Sequence, residues 1–349
     1  MAKIDFYKID KAEKIAVFEA VAAEMGMKPF AVEKDWWVSR TLEIIFQMDI
    51  AKHLVFKGGT SLSKAFKLIH RFSEDIDLAI DMEYFFKSEK EWSKSKRTAL
   101  RKKAGALTAG VFFNELQDAF KKKGFAEIKC NVLPVEDSDQ DPRIIEVHYE
   151  NIIPKPTEYL QPRLLIEIGC RSLREPFSNQ TFGSLIDETF ADREFVAPLF
   201  SVPSVNPERT FLEKLFLLHE EFHRPQEKMR VDRLSRHLYD VYHLTKAGIA
   251  EKAIADKDLY ETIVAHRFKF SRISGVDYNN HNPKTLNPIP FSEIMNSWKL
   301  DFDKMLEEMI YEEQKPRFDE LINNLNDLRN RLQHLNWEFE LEFPTITNK

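Results

Sequence analysis

The 349-residue chain contains few cysteines and few glycines, and it has no long hydrophobic run. Its two cysteines, Cys130 and Cys170, lie far apart in sequence and cannot form a disulfide framework or a four-cysteine zinc site. Ten glycines exclude collagen-like and glycine-rich repeats. No stretch of 18 uncharged apolar residues occurs, and the charged N-terminus does not resemble a secretory signal. We therefore expect a soluble, cytoplasmic protein that does not associate with a membrane.

The remaining composition is that of a folded chain, with 43% hydrophobic and 31% charged residues. A net charge of −6 is not that of a globally basic nucleic-acid-binding protein, although a local basic surface is compatible with it. The length predicts about two domains. We expect an α+β protein in which residues 1–50 form a helical segment that packs on the core. Residues 51–205 form that core, a mixed sheet with flanking helices, and residues 206–349 form a helical C-terminal domain.

The predicted core contains four strands and one long helix. Short apolar or alternating runs predict the strands, namely HLVFKGG, SEDIDLAID, RIIEVHYE and RLLIEIGC. The segment from Lys96 to Gly124 predicts the helix. Two further helices are predicted. One begins at Pro207 and ends before Pro225, and the next stops at Gly248. A last helix after Pro316 carries a leucine-rich stripe, which we interpret as the packing face of a bundle rather than a coiled-coil seam.

The most informative segment is LVFKGGTSLSKAFKLIHRFSEDIDLAI, residues 54–80. A strand runs into Gly58-Gly59, and Thr60 or Ser61 is predicted to cap a helix with Leu62, Phe66 and Ile69 on its apolar face. Glycines let a ligand approach the backbone, and free N–H groups at a helix N-terminus favour an anion such as phosphate. Taken alone, this pattern also fits an ordinary strand-to-helix turn.

Two carboxylates follow this turn on one predicted strand. Asp75 and Asp77 project from the same face, with Cα atoms ~6.5 Å apart. Mg²⁺ prefers carboxylate oxygens together with substrate phosphates. The alternative is the solvent-facing side of an edge strand, which Asp81 fits. We therefore interpret Asp75 and Asp77 as metal ligands and Asp81 as structural.

These residues carry a resemblance to a known family. GGTSLSK at residues 58–64, followed by RFSEDIDL at residues 71–78, resembles the AbiEii/AbiGii toxin nucleotidyltransferases of the DNA polymerase β-like superfamily. EKDWWVSRTLEIIF, RTFLEKLFLLH, RLSRHLYDVYHL and the closing leucine-rich helix extend the resemblance over most of the chain. The gap between Gly59 and Asp75 is longer than in the wider superfamily but typical of this branch.

The resemblance implies a polymerase β-like core and Mg²⁺-dependent (or Mn²⁺-dependent) transfer of a nucleotide from a nucleoside triphosphate to an acceptor. The expected acceptor is RNA, such as the acceptor end of a tRNA. The expected biological role is the toxin of a bacterial toxin–antitoxin or phage-defence system, with an antitoxin protein as a possible partner. Asp75 and Asp77 would hold the metal, and the turn would cradle the triphosphate through Gly58, Gly59, Thr60 and Ser61.

Further site residues follow from the same resemblance. A third carboxylate would complete the metal site, and we prefer Glu167, a lone acid in an apolar strand, to Glu146. Lys214 would neutralise the triphosphate, and Asp240 would orient Lys214 or the acceptor. Their alternatives are an exposed Lys214 paired with a glutamate of its own helix, and an Asp240 paired with an arginine of its own helix. Additional candidates for phosphate contact are Lys64, Arg71 and Ser73.

Two features lead to other hypotheses. His219-Glu220-Glu221-Phe222-His223 spells H-E-x-x-H, the zinc-binding motif of a metallopeptidase, although Pro225 would end the helix directly after it. A non-enzymatic alternative is an inactive module that binds nucleotide or RNA.

Residues 87–103 and Lys121-Lys122-Lys123 form a basic stretch that either contacts RNA phosphates or is simply solvated. A second basic candidate contains Arg224, Lys228, Arg230, Arg233 and Arg236.

Overall fold

A computed structural model describes residues 5–87, 91–154 and 161–344 of the chain. The chain divides into two compact units, each of which is described by itself. The sheet unit contains Met1–Lys67, Arg71–Val205 and Tyr311–Glu313. The helical unit contains Leu68–His70, Asn206–Ile310 and Gln314–Lys349.

Within its described residues, the sheet unit is built on a mixed sheet of seven strands in the order β3-β4-β5-β2-β1-β7-β6. At its centre, β2 pairs antiparallel with β1 and parallel with β5. β1 pairs parallel with β7, whereas β3 with β4, β4 with β5, and β6 with β7 are antiparallel. The strands are β1 (Leu54–Lys57), β2 (Asp75–Ile80), β3 (Lys129–Val132), β4 (Arg143–His148), β5 (Arg163–Gly169), β6 (Phe177–Phe182) and β7 (Phe200–Val205).

Six α-helices lie within the described part of the sheet unit, and local signals explain where several begin and end. The Asp10 carboxylate caps α1, which ends at Gly26 in the left-handed conformation. Pro29 occupies the first turn of α2, where its missing N–H is tolerated. The helices are α1 (Lys11–Met25), α2 (Pro29–Ile45), α3 (Gly58–Lys64), α4 (Lys94–Leu107), α5 (Phe113–Lys122) and α6 (Leu185–Thr189).

The sequence predictions for this unit are confirmed for the central elements and incomplete elsewhere. The four predicted strands correspond to β1, β2, β4 and β5, which supports the α+β class. The strands β3, β6 and β7 were not predicted. The helix predicted over 96–124 is α4 and α5 joined by a π-helical turn, Thr108–Phe112. The helix after the glycine turn was predicted to reach Ile69 but ends at Lys64, and Lys67 soon after it has a φ of 54°.

The described part of the helical unit contains six α-helices. Proline is again at the first position of its leading helix, and Gly248 ends the second with a φ of 74°, as the sequence predicts. The leucine stripe is confirmed as a packing face, since Leu321, Leu325, Leu328 and Leu332 are fully buried. The helices are α7 (Pro207–Phe222), α8 (Ser235–Lys246), α9 (Ile249–Ala255), α10 (Lys257–Phe270), α11 (Ser292–Glu308) and α12 (Phe318–Gln333). Among the described residues, no helix is both long enough and apolar enough to cross a membrane.

Candidate active site

Three carboxylates lie on one face of the sheet, which we call the carboxylate face: Asp75 and Asp77 of β2 and Glu167 of β5. Asp77 is directly opposite Glu167 in the parallel register, and Asp75 is opposite Leu165. The intervening residues Ile76, Leu78 and Ile166 are fully buried on the other face. The three acids are half-exposed, so strand alternation presents them on the open side of an otherwise apolar pair of strands.

The glycine turn lies directly against this face. Gly58 has a φ of 82°, and a Cβ at this position would be 2.1 Å from Oδ2 of Asp77. A Cβ on Gly59 would be 2.5 Å from the Arg71 guanidinium and 2.9 Å from the Ser73 hydroxyl oxygen. Both glycines are therefore required for close packing of these side chains, and the turn brings Asp77, Arg71 and Ser73 together.

Thr60 and Ser61 do not cap α3, so that prediction is wrong. The N-cap position belongs to Lys57, without a side-chain hydrogen bond. The Thr60 hydroxyl donates to the carbonyl oxygen of Asp75 at 2.6 Å and lies 2.9 Å from the hydroxyl oxygen of Ser73. Ser61 donates to the carbonyl oxygen of Gly58 at 3.1 Å. Thr60 therefore joins the turn to the first residue of β2.

Helix α2 supplies buried charges that the sequence did not assign. The Lys34 ammonium binds the Glu74 carboxylate and donates to the carbonyl oxygen of Gln161 at 2.9 Å. Asp35 accepts from the Lys64 ammonium at 2.5 Å and from the Leu185 N–H at 2.8 Å. Burial lowers the pKa of Lys34 and raises that of Asp35, while their ion-pair partners oppose both shifts.

Lys64, predicted as a candidate for phosphate contact, forms an ion pair with Asp35 that the sequence does not predict. Lys64 ends α3, and its side chain is 8% exposed against Asp35. Lys34 holds Glu74, the residue before Asp75. Arg71, also buried, donates to the carbonyl oxygen of Phe72. The turn and the start of β2 are therefore fixed by ion pairs to α2 and by local hydrogen bonds.

The two candidates for the third carboxylate have different surroundings. Glu146 of β4 is opposite Leu165, so it also faces the carboxylate side, one strand further from Asp77. It binds the Arg163 guanidinium, and His148 Nε2 lies 2.6 Å from its Oε2. Burial alone would raise the pKa of Glu146, but these two partners lower it. Glu167 lies directly opposite Asp77 on the neighbouring strand, and its role as the third carboxylate stays a prediction.

The donors on the carboxylate face fit a hard divalent cation. Carboxylate oxygens are preferred by Mg²⁺, which usually keeps several waters and takes substrate phosphates rather than an all-protein shell. Within the described ranges, no three His, Cys, Asp or Glu side chains form a group that could hold a metal ion by themselves. The donor types match those that Mg²⁺ prefers, and the metal site stays a prediction.

The Lys214–Asp240 pair lies inside the helical unit. Lys214 Nζ of α7 is 2.8 Å from Asp240 Oδ2 of α8, with the Lys214 side chain 9% exposed and Asp240 fully buried. The alternative of an exposed Lys214 is therefore wrong. Its neighbour Glu213 instead binds Arg209, and Glu220 binds Arg267. Asp240 therefore holds the Lys214 ammonium, and whether it orients Lys214 or the acceptor stays a prediction.

The H-E-x-x-H segment is part of the packed core of the helical unit. Glu220 is fully buried, binds both ends of the Arg267 guanidinium and lies 3.3 Å from His281 Nε2. Burial alone would raise the pKa of Glu220, but Arg267 and His281 lower it to about 2. His219 Nδ1 accepts from the Asn287 N–H at 3.0 Å, and His223 donates to the His219 carbonyl oxygen at 2.7 Å. A sealed, ion-paired Glu220 cannot act as a general base, so the segment is structural.

The basic stretch of residues 87–103 lies mainly on α4, and residues 88–90 lie outside the described residues. Its arginines have partners, since Arg97 donates to the carbonyl oxygen of Trp92 and Arg101 binds Asp139. Its exposed lysines among the described residues are Lys87, Lys94, Lys96, Lys102 and Lys103. Lys121, Lys122 and Lys123 are exposed at the end of α5. In the second basic candidate, Arg224 and Arg230 both bind the buried Glu221.

Comparisons with known proteins identify the family. A family model described as nucleotidyl transferase AbiEii toxin, type IV TA system, matches residues 40–324. Comparison with curated proteins gave no match. Among solved structures, the chain is similar to MenT4, the nucleotidyltransferase toxin Rv2826c from Mycobacterium tuberculosis H37Rv, at 16% identity over 93% of this chain and 98% of that chain, with a TM-score of 0.42. JHP933 from Helicobacter pylori is 14% identical over 84% of this chain and 88% of that chain, with a TM-score of 0.39. Because the family model covers most of the chain, the protein belongs to the AbiEii family of nucleotidyltransferase toxins and is a nucleotidyltransferase.

Proposed function

We propose that this nucleotidyltransferase moves a nucleotide from a nucleoside triphosphate to RNA, with the tRNA acceptor end as the first acceptor to test. An acceptor hydroxyl oxygen bonds to the α-phosphorus, the bond to the β-phosphate bridge breaks, and pyrophosphate leaves. The observation that carries the proposal is the register of Asp77 with Glu167, beside Asp75 and against the glycine turn.

Asp75, Asp77 and Glu167 are the residues that would hold Mg²⁺ or Mn²⁺. The metal would neutralise phosphate charge and help to orient the reacting oxygen. The turn from Gly58 to Ser61 would place backbone atoms close to the triphosphate, because the absence of a Cβ at both glycines lets the side chains of Asp77, Arg71 and Ser73 pack directly against it. Arg71 and Ser73, which contact the turn, would support its conformation next to the phosphates.

Lys214 and Asp240 form the second element of the proposal. A lysine ammonium held by a buried carboxylate has a fixed direction, which suits contact with a phosphate or an acceptor. We expect Lys214→Gln to lower the transfer rate and Asp240→Asn to lower it less, because Asp240 acts through Lys214. Equal rates in Lys214→Gln and the wild type would contradict this role.

RNA as acceptor is supported by the exposed lysines of α4, since RNA affinity arises largely from neutralised phosphates. Replacing Lys94, Lys96 and Lys102 by alanine should weaken RNA binding and reduce its dependence on salt concentration. The triple variant should retain its affinity for nucleoside triphosphate. An unchanged salt dependence would place RNA elsewhere on the protein.

The family name implies a toxin–antitoxin setting, and we propose that an antitoxin protein controls this activity in the cytoplasm, in a role that includes phage defence. Expression of the wild type in a bacterial host should arrest growth, and expression of Asp77→Asn should not. If both proteins arrested growth at equal expression levels, the toxicity would not depend on nucleotide transfer.

The function is tested by offering acceptors and nucleotides separately. The protein is incubated with Mg²⁺, one α-labelled triphosphate at a time, and either purified tRNA, other cellular RNA or protein. Label should enter RNA, and a chelator should abolish the reaction until Mg²⁺ or Mn²⁺ is restored. Label that enters only protein would overturn the RNA proposal while leaving nucleotidyl transfer intact.

A further inference from the structure

Lys57 is a cation on the carboxylate face that the sequence did not select. It is the last residue of β1 and pairs directly with Asp77 in the antiparallel register of β1 and β2. Residues paired in this way project from the same face, with Cβ atoms ~4.5–5.5 Å apart. Lys57 also immediately precedes Gly58, against which the Asp77 carboxylate packs.

Three other cations near this site have carboxylate partners. Lys34 binds Glu74, Lys64 binds Asp35, and Arg163 binds Glu146. Lys57 is half-exposed, and the described part of the chain provides no ion pair for its ammonium group. Its ammonium group has three donors and stands on a flexible stem beside the carboxylates.

A polyphosphate that approaches this face meets three acidic side chains. A metal ion offsets part of the repulsion, and a nearby ammonium group would offset more, because hydrogen bonds between an ammonium and phosphate oxygens are charge-assisted. Lys57 adjoins both the turn and Asp77, so it can serve a phosphate bound between them. Lys64 is held by Asp35 of α2 and Lys34 by Glu74, so neither is available in this way.

We propose that Lys57 binds the triphosphate of the nucleotide substrate at the carboxylate face, an inference that rests on the proposed function. It predicts that Lys57 distinguishes a triphosphate from a monophosphate, since the additional phosphates supply the negative charge that it contacts. The residue is a substrate-binding group, and its loss should affect nucleotide affinity and KM more than kcat.

The test uses Lys57→Met, Lys57→Gln and Lys57→Arg, with Lys52→Met as the matched control. Lys52 is an exposed lysine in the same unit, five positions earlier, and its substitution removes the same charge. Calorimetry with Mg²⁺ measures binding of each nucleoside triphosphate and of its monophosphate, and thermal unfolding establishes that every variant is folded. KM and kcat for the triphosphate are measured in the transfer assay.

Loss of the ammonium should weaken triphosphate binding about tenfold or more and monophosphate binding far less. Lys57→Arg should recover part of the affinity, and Lys52→Met should match the wild type. Two folded neutral variants, Met and Gln, with wild-type triphosphate affinity and KM would overturn the inference. So would equal weakening of triphosphate and monophosphate, which indicates a general structural effect.

The result also separates this inference from the proposed acceptor. A wild type that binds triphosphate but labels no RNA, together with weakened binding in Lys57→Met, would retain Lys57 as a phosphate-binding residue and overturn the acceptor. A wild type that labels RNA, with an unaffected Lys57→Met, would overturn Lys57 alone. A wild type that binds no triphosphate would overturn both.

Discussion

The carboxylate face and the H-E-x-x-H segment contain similar acidic chemistry in very different surroundings. Asp75, Asp77 and Glu167 are half-exposed on neighbouring strands, next to a turn with room only for glycine. Glu220 is fully buried and neutralised by Arg267. An acid on an open face can accept a metal and a substrate, whereas an acid sealed in an ion pair stabilises the fold. Two motifs that both resemble catalytic sites in the sequence are therefore distinguished by the burial and ion pairing of their carboxylates.

The largest expected effect concerns the open face. Glu167→Gln should reduce nucleotide transfer about a thousandfold, or about 4 kcal/mol, because one negatively charged metal donor is lost. Glu146→Gln should change the rate much less, since its carboxylate is bound by Arg163 and His148. The measurement is the steady-state rate per folded molecule, with Asp81→Asn as the control. A larger loss in Glu146→Gln would make Glu146 the third carboxylate.

The next effect concerns the sealed acid. Glu220→Gln should lower the free energy of unfolding by about 3 kcal/mol or more, because it leaves the Arg267 charge buried without its counterion. Glu251→Gln, which removes a surface pair with Arg331, should cost no more than about 1 kcal/mol. Urea unfolding measures both. Nucleotide transfer lost by a folded Glu220→Gln would show that this segment has a chemical role.

Acidification should affect the helical unit through its buried histidines. Burial lowers the pKa of His266 from 6.5 to about 4, so the folded state favours the neutral ring. The contribution of the neutral ring to the free energy of unfolding is complete above pH 6.5 and is lost as the pH falls toward 4. The expected loss is on the order of 2 kcal/mol, allowing for partial exposure. His266→Leu should flatten this part of the stability curve; an unchanged slope would indicate that other groups cause it.

The smallest effect on stability comes from a matched pair of glycines. Gly58→Ala and Gly124→Ala each place an alanine at positive φ, 82° and 90°, at a conformational cost of about 1 kcal/mol. A Cβ on Gly124 meets nothing within 4 Å, whereas a Cβ on Gly58 would displace the Asp77 carboxylate. Thermal unfolding should show a similar backbone cost, and only Gly58→Ala should also lose transfer activity. Equal activity in both variants would contradict the required close packing.

The strands that carry the site were predictable because their patterns are strong and local. β2 alternates acidic and apolar residues, and β1 leads directly into the glycine pair. The edge strands β3 and β6 were missed because edge strands bury less apolar surface, and FSNQTF of β6 is mostly polar. Pro203 in β7 concealed another strand, because proline usually interrupts a ladder.

In the candidate site, too, the residues of one short segment were predictable and the residues brought together by packing were not. Gly58, Gly59, Asp75 and Asp77 could be selected because they lie within one short segment. The pairs Lys34–Glu74 and Asp35–Lys64 join residues 40 and 29 positions apart, and only the packing of α2 brings them together. The consecutive charges of EKDWW, in a helix with two tryptophans, were the available signal. Lys57 required the register of β1 with β2, which no sequence pattern specifies.

The central claim is that the carboxylate face performs nucleotidyl transfer. Its most direct test follows two labels in parallel, one on the α-phosphate and one on the γ-phosphate, with the wild type and Asp77→Asn. The account predicts that the wild type transfers the α-label to RNA and releases the γ-label as pyrophosphate, and that folded Asp77→Asn does neither. Transfer of the α-label by Asp77→Asn at the wild-type rate would contradict it.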